Sequence, residues 1–370
     1  MKTPLWLTTA QKAAKKHALS LPLKAKYGLN MPAFFEHEID SIANAPTFTW
    51  HGPEEITLIP LSKALEQSLY QKHLKTHFNA YTSNARCTAL NLAHSQDGIV
   101  IIIPEDFQED RPSTIKINLT ADTNLSHIII IAEANSKITL ITETTGTNKS
   151  IYNLSAFVEN NAHFNHIVVD ETKTAAHFSN HHYYVSEQAE FFYLDTAKHN
   201  YQGERSIHTF LEGMKSKAYH YHLSVLAENA KYDLYTQITH QAAFTNSGIY
   251  ARAVLDDHSH MIYRGMITIE DQASNCSSDQ KEATLMLGPQ AKIDAIPMLN
   301  IINDQVQCSH SASMSNFDPE KLFYMATRGL TPNETKKMLI QSFIQADISQ
   351  LTDANLKTWI QDNLPKLLAL

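Results

Sequence analysis

Only three cysteines occur in 370 residues, too few for a disulfide framework at this length, and the expected setting is a reducing, cytoplasmic one. Glycine is sparse as well, at 10 residues, so few positions can enter left-handed backbone without steric cost. There is no Gly-x-x-x-x-Gly-Lys-Ser/Thr phosphate loop, no Cys-x-x-Cys pair and no His-Glu-x-x-His. ATP hydrolysis by a phosphate loop is therefore excluded for this chain, as are the commonest redox and zinc-hydrolase signatures. Long apolar runs are missing too: those around Ile99 to Pro104 and Ile128 to Ala132 fall far short of the roughly 20 residues that span a bilayer. The Lys-rich beginning holds no apolar segment of signal length, and no membrane partner is expected.

Positive charge is in deficit, with 30 Lys and Arg against 38 Asp and Glu, a net charge of −8. Phosphate backbones are bound by clustered cations, so no nucleic-acid partner is expected. Lys12, Lys15, Lys16, Lys24 and Lys26 do gather, but Ala and Leu interleave them, as on the solvated face of an amphipathic helix.

What the chain has in quantity is alternation. From about Thr88 to His310 a turn-like polar residue, a small residue and then alternating apolar positions recur: Asn135-Ser136-Lys137-Ile138, Asn161-Ala162-His163-Phe164, Asn229-Ala230-Lys231-Tyr232, Gln290-Ala291-Lys292-Ile293. Period two means strands, and with glycine scarce, Asn and Asp must supply many left-handed turn positions. The spacing lacks the strict period of a propeller or leucine-rich repeat and suits stacked coils of short strands. A double-sheet sandwich would alternate in the same way, so pattern alone leaves both open.

Helical text flanks this core. Between Trp6 and about Arg86, Ser62 reads as an N-cap, with Ala64, Leu65, Leu69, Tyr70 and Leu74 at helical spacing, and Pro32 to Pro60 reads as loop and short strand. After the core, Asp318 and Pro319 open a helix ending near Gly329. Thr331, Pro332 and Glu334 form a capping box for a second, with Met338, Leu339, Phe343 and Ile344 as its apolar stripe. A third starts at Asp353 and runs through Leu356, Trp359 and Ile360. The expected organisation is a mostly helical region at 1–86, a β core at 87–315 and a helical region at 316–370.

One strand-like run carries chemistry. Cys308 and His310 are two residues apart, hence on one face of an extended strand. A sulfur and an imidazole side by side suit thiophilic metals or iron–sulfur chemistry. A small buried Cys beside a structural His would look the same.

The words around that pair go further. Ile301-Ile302-Asn303-Asp304-Gln305-Val306-Gln307-Cys308-Ser309-His310, then Asp318-Pro319-Glu320-Lys321-Leu322-Phe323-Tyr324 and Thr327-Arg328-Gly329-Leu330, closely resemble the C-terminal signature of the SufB/SufD family, scaffold subunits of SufBCD iron–sulfur cluster assembly. Upstream, Phe78-Asn79-Ala80, Ala89-Leu90-Asn91, Asp97-Gly98 and the apolar strand ending at Pro104 resemble the opening of that family's core. Gln280, Leu285 to Leu287 and Ala291 to Asn300 fall where it has its Gln, its Leu-rich strand and its apolar-Pro-apolar run. Ser311 stands where SufB chains have Glu, and no N-terminal cysteine cluster is present, which directs the resemblance to the SufD-like members.

The resemblance implies a right-handed parallel β-helix with helical terminal regions. It implies a non-enzymatic subunit that pairs with SufB through the β-helix end and binds the SufC ATPase through the C-terminal helices, where Phe323, Tyr324, Arg328, Met338, Leu339 and Phe343 are the expected contact residues. His310, joined by Cys308, is the expected ligand for iron or a nascent cluster at the SufB interface, with no cofactor held stably by the chain alone. The isolated chain is expected to be able to pair with itself.

Two other classes compete. Many parallel β-helices are polysaccharide lyases or hydrolases, and Asp256, Asp257, His258 and His260 could be cast as acids and bases. The doublets His181-His182, His220 with His222, and His258 with His260 could each be half of a structural zinc site, though no third and fourth ligand stand at recognisable spacing. Alternatively, the imidazoles of each His-x-His face solvent while Tyr221 or Ser259 faces inward.

Overall fold

The computed structural model describes residues 4–20, 45–80, 86–94, 97–172, 176–199, 202–316, 319–348, 351 and 353–367. After α1 (Leu5–Ser20), β1 (Thr47–His51) and β2 (Thr57–Pro60) come α2 (Leu61–Ala64), α3 (Gln71–Ala80) and α4 (Arg86–His94). Strands follow without interruption: β3 (Gly98–Ile103), β4 (Ser113–Asn118), β5 (Thr123–Ala132), β6 (Lys137–Gly146), β7 (Lys149–Val158), β8 (His163–Thr172), β9 (Ala176–Val185), β10 (Glu190–His199) and β11 (Gln202–Leu211). They continue with β12 (Lys217–Leu226), β13 (Lys231–His240), β14 (Asn246–Leu255), β15 (His260–Ile269), β16 (Cys276–Met286), β17 (Lys292–Ile301) and β18 (Val306–Asn316). Three helices close the chain: α5 (Pro319–Thr327), α6 (Pro332–Ile348) and α7 (Ala354–Leu367).

Sheet order decides between the two architectures that alternation left open. Even-numbered strands from β4 to β18 form one sheet and odd-numbered strands from β3 to β17 the other, each strand pairing in parallel with the strand two ahead. That is a β-solenoid of about 7 turns, not a sandwich. The coil lengthens from 27 residues between Glu190 and Lys217 to 31 between Ser247 and Ser278. Changing corner lengths explain why no strict repeat is legible.

Two of the four recurrent phrases mark left-handed corners as read; at the third, Glu228 rather than Asn229 takes the left-handed position, and Gln290 does not take it. Asn135 and Asn161 sit at φ 58 and 57; their N–H groups reach the next coil's turn at Asn160 O (3.0 Å) and Glu187 O (3.0 Å). The small residues behind them, Ser136 and Ala162, are buried because the chain turns over them. Asp106, Asp257 and Asn275 also hold left-handed backbone, as expected of Asx residues, but so do Gln188, Lys215, Glu228 and Phe244.

Both sheets are covered on their outer faces. α1 to α4 pack Leu7, Ala14, Leu61, Leu74, Phe78 and Leu92 on β3, β5 and β7; α6 and α7 pack Ile340, Ile344, Leu356 and Ile360 on β8, β10, β12 and β14. Lys12, Lys15 and Lys16 are on the exposed side of α1, whereas Lys24 and Lys26 lie outside the described residues. Expected helical spacing from Ala64 to Leu74 breaks into α2, a 3-10 turn at Ser68–Tyr70 and α3, leaving Leu69 exposed. Ser62 is not a cap: Pro60 holds the N-cap position, because β2 runs straight into the helix. α4 straddles the boundary expected at 86/87. The cap expected at Asp318 lies outside the described residues, but Thr331 and Glu334 do bond reciprocally (Glu334 N to Thr331 Oγ1, 3.3 Å; Thr331 N to Glu334 Oε2, 2.8 Å). Asp353 accepts from Leu356 N at 2.9 Å, capping α7.

The solenoid interior is not uniformly apolar. Arg205, 1% exposed, pairs with Asp170 and Asp195 and donates to Ser179 Oγ (3.0 Å). Tyr232 donates to Asp195 (2.6 Å), and His222 Nδ1 lies 3.4 Å from it. Burial opposes ionisation of Asp195, yet the Arg205 charge and these hydrogen bonds outweigh it and hold the carboxyl below its usual range. His220 and His222 are therefore inside, not solvent-facing as the His-x-His alternative supposed; Tyr221 faces outward, under α6 and α7. His220 lies between Thr209 and Thr236 hydroxyls at 2.9 and 2.8 Å. For His258 and His260 that alternative holds: both are at least partly exposed and Ser259 is buried.

Candidate functional site

The two ends of the solenoid differ. At the first, the outermost strands β1 and β2 run antiparallel to β4 and β3, breaking the parallel stacking of the coils. At the other, β17 and β18 are the last strands of their sheets among the described residues, so each presents backbone donors and acceptors along one edge. Ile301, Ile302 and Met314 are exposed there, Ile302 at 61%.

β18 carries the pair singled out in the sequence. In register with β16, Cys308 lies beside Ser278 and His310 beside Gln280. Because Ser278, Gln280 and Glu282 are buried on the inward face of β16, Cys308 and His310 share that inward orientation one coil further out. The expected same-face arrangement is present. Cys308 is half-buried and packs on the core with Val306, while His310 is exposed. Burial, reinforced by neighbouring Cys276, pushes the Cys308 thiol up, so it must shed a proton before it can ligate.

Below His310 the packing is tight. A Cβ on Gly265 would come within 2.2 Å of Gln280 Nε2 and 2.4 Å of Tyr263 Oη, so any larger residue here would displace the Gln280 and Tyr263 side chains. Gln280 Nε2 donates to Tyr263 Oη at 3.4 Å. Burial raises the Glu282 carboxyl, opposed by hydrogen bonds from Thr284 and the Ser313 backbone. Gln280 Oε1 and Glu282 Oε2 are buried acceptors without a hydrogen-bond partner. Sequence reasoning missed Glu282; the signal was its parity with Gln280 on β16. Among the described residues, no three His, Cys, Asp or Glu side chains are arranged to hold a metal ion. Cys308 and His310 thus offer at most two ligands, and a full set requires donors from elsewhere.

The residues of the competing sites are engaged in corner and surface contacts. Asp256 pairs with Lys336 and accepts from Asp257 N, tying α6 to a corner, and Asp257 accepts from Glu228 N. His260 pairs with Asp294 at 2.9 Å on the outer surface. His181 faces the interior, within 3.3 Å of Tyr183 and Tyr193 hydroxyls, and His182 faces outward, 4.9 Å from His208 between ring centroids; they cannot form one half-site.

In the C-terminal region Phe323 and Tyr324 are 73% and 55% exposed and Met338 48%, with the Arg328 guanidinium over the Tyr324 ring at 5.1 Å. Leu339 and Phe343 are half-buried, and Phe343 packs against the solenoid under Arg252 at 4.8 Å. The buried residues of α6 include Ile340, Ile344 and Ile348; of the stripe read in the sequence, Ile344 is buried, Leu339 and Phe343 are half-buried, and Met338 faces solvent.

A family model described as SUF system FeS cluster assembly, SufBD core domain, matches residues 115–343, from β4 into α6. The chain belongs to the SufB/SufD family. Its similarity to individual members is modest: 27% identity over 198 residues with the iron–sulfur cluster assembly protein SufD of Escherichia coli K12, covering 53% of this chain and 47% of that protein. With SufD of Bacillus subtilis 168 it is 24% over 283 residues, 72% and 63%. With an iron–sulfur cluster assembly SufBD family protein of Staphylococcus aureus MRSA252 it is 22% over 293 residues, 77% and 63%. The aligned region thus spans about half to two thirds of these relatives. Cys308, His310 and α5 lie inside the SufB/SufD match. Among the described residues no helix is long and apolar enough to cross a membrane.

Proposed function

We propose that this chain is a SufD-type, non-catalytic scaffold subunit of a cytoplasmic iron–sulfur cluster assembly complex. The observation that carries the reading is the open end: β18 holds Cys308 and His310 on the inward face of an unclosed coil, in a chain of the SufB/SufD family. A SufB-like subunit continuing the stack would satisfy the free strand edges, cover Ile301, Ile302 and Met314, and bring the ligands this chain lacks. His310 is the ligand supplied from this side, with Cys308 beside it. Iron and the nascent cluster are cargo held between subunits.

In the same reading the exposed Phe323, Tyr324, Arg328 and Met338 receive a SufC-type ATPase, with Leu339 at the edge of the contact and Phe343 holding α6 to the solenoid beneath it. Closure of two ATPase subunits would pull on α5 and α6 of the two scaffold chains and open their interface.

Co-expression with SufB and SufC tests both parts. Removing residues after Asn316 is expected to abolish SufC capture; undiminished capture would overturn the docking assignment. His310→Ala should leave the complex assembled, costing about 1 kcal/mol or less of stability, as exposed substitutions do, while cluster yield falls at least tenfold. Cys87→Ala, in a patch with Leu125, Ile151 and Phe178, should change yield little. Normal yield from an intact His310→Ala complex would remove the ligand role.

A further inference from the structure

On the outer face of the even-numbered sheet, away from the open end, a cleft of about 350 Å³ lies between the strand wall and Leu351, Asp353 and the start of α7. That volume is at the lower end for small-molecule sites and fits one fused ring system. Its floor is aromatic. Phe192, Tyr221 and Tyr250 step across β10, β12 and β14 with ring centroids 5.2 and 4.9 Å apart, and Tyr219 stands beside them. Gly248 shapes this floor: a Cβ there would meet the Tyr250 ring at 2.6 Å, so its absence lets the ring lie along the sheet. Leu351 and Leu356 form the roof.

The rim is polar and holds both signs. Lys217 Nζ lies 2.6 Å from Glu190 Oε1, and His163 Nδ1 lies 3.5 Å from Glu190 Oε2. All three side chains are between 42% and 49% exposed, so a ligand can reach them. A donor and an acceptor side by side above an aromatic floor select a flat molecule with a complementary edge.

We propose that this cleft is a ligand site, taking one small planar heteroaromatic molecule. One face of the ring lies on Tyr219, Tyr221 and Tyr250, and a donor–acceptor edge, as in a lactam, meets Lys217 and Glu190. Because the roof is Leu351 together with Leu356 of α7, an occupied cleft ties α7 to the solenoid wall. The site is independent of the scaffold reading.

The test uses the full chain and 2-quinolone, a planar lactam. Saturable binding of one molecule per chain is expected, with Kd on the order of 10⁻⁴ to 10⁻³ M for so small a ligand, together with slowed amide exchange at 351–356. Tyr219→Ala, which removes part of the floor, and Leu351→Trp, which fills the cleft from the opposite side, should each weaken binding at least tenfold with unchanged circular dichroism. Naphthalene, which has the ring system without the polar edge, should bind at least fivefold more weakly. Unsaturable binding, equal binding by both variants, or naphthalene binding as well as 2-quinolone would overturn the proposal.

Discussion

Taking the protein from pH 7 to pH 5 is expected to remove several kcal/mol of stability, a large part of the roughly 5–15 kcal/mol that holds a typical domain folded. The cause is an unusual stock of buried neutral histidines. Burial lowers His127 to about 3 and His240 to about 4. Burial with the Arg205 charge lowers His166 to about 3, and burial, partly countered by Asp170, lowers His177 to about 4. None of the four is more than 2% exposed, and the partners their rings meet are neutral: His166 lies between Thr142 and Tyr183 hydroxyls, His240 between Thr245 and Ser247, while His127 Nδ1 faces His77 Nε2 and His177 Nδ1 faces the Ser150 hydroxyl.

In the unfolded chain these rings titrate near 6.5. Their contribution is therefore intact above that pH and drains as pH falls toward 3–4, since the unfolded state takes up protons the folded state refuses. At pH 5 each costs about 2 kcal/mol. Glu204 works the other way: burial, with Asp233 adding, raises it to about 7, so its burial penalty is relieved on acidification, offsetting about 2 kcal/mol. Urea unfolding at pH 7, 6 and 5 checks the balance. A free energy that stayed level or rose between pH 7 and 5 would contradict it.

Arg205→Ala should be the most damaging single substitution in the solenoid, at about 3–5 kcal/mol, because it strands two buried carboxylates. Asp170 and Asp195 sit on β8 and β10 with side chains only 1% exposed, and neither can recruit water without opening the coil. An apolar replacement of the whole set, Asp170→Leu with Asp195→Leu and Arg205→Met, should destabilise far less, since no charge is then left unpaired. Equilibrium unfolding of both variants gives the comparison, and a cost below about 1 kcal/mol for Arg205→Ala would show that the ion set carries little. The triple variant should retain partner binding, because these residues are remote in register from β18.

The order of elements was legible in the residues. Alternation marked the strands, Asn135 and Asn161 marked corners that adopt left-handed backbone, and Thr331 with Glu334 marked a capping box that forms as read. The site pair was legible for the same reason: a spacing of two fixes a shared face in any strand, so Cys308 and His310 had to project together.

Which face a strand turns inward is a different matter. Period two gives parity but no sign, and here both faces of the central strands are buried, inward in the coil and outward under helices. His220 and His222 therefore read as solvent-facing when they line the interior, and the stripe read on α6 includes Met338, which faces solvent, and leaves out Ile340 and Ile348, which are buried. Arg205, Asp170 and Asp195 are separated by 10 and 35 residues, and only stacking of coils brings them into one ion set. Glu282 under β18 and the tyrosine-floored cleft under α7 arise in the same way. The amino-acid sequence by itself determined local geometry and family, because hydrogen-bonding period, caps and turn chemistry act within a few residues. Tertiary structure alone decided which polar groups are buried together, because that depends on coil register and on the helices laid over each sheet.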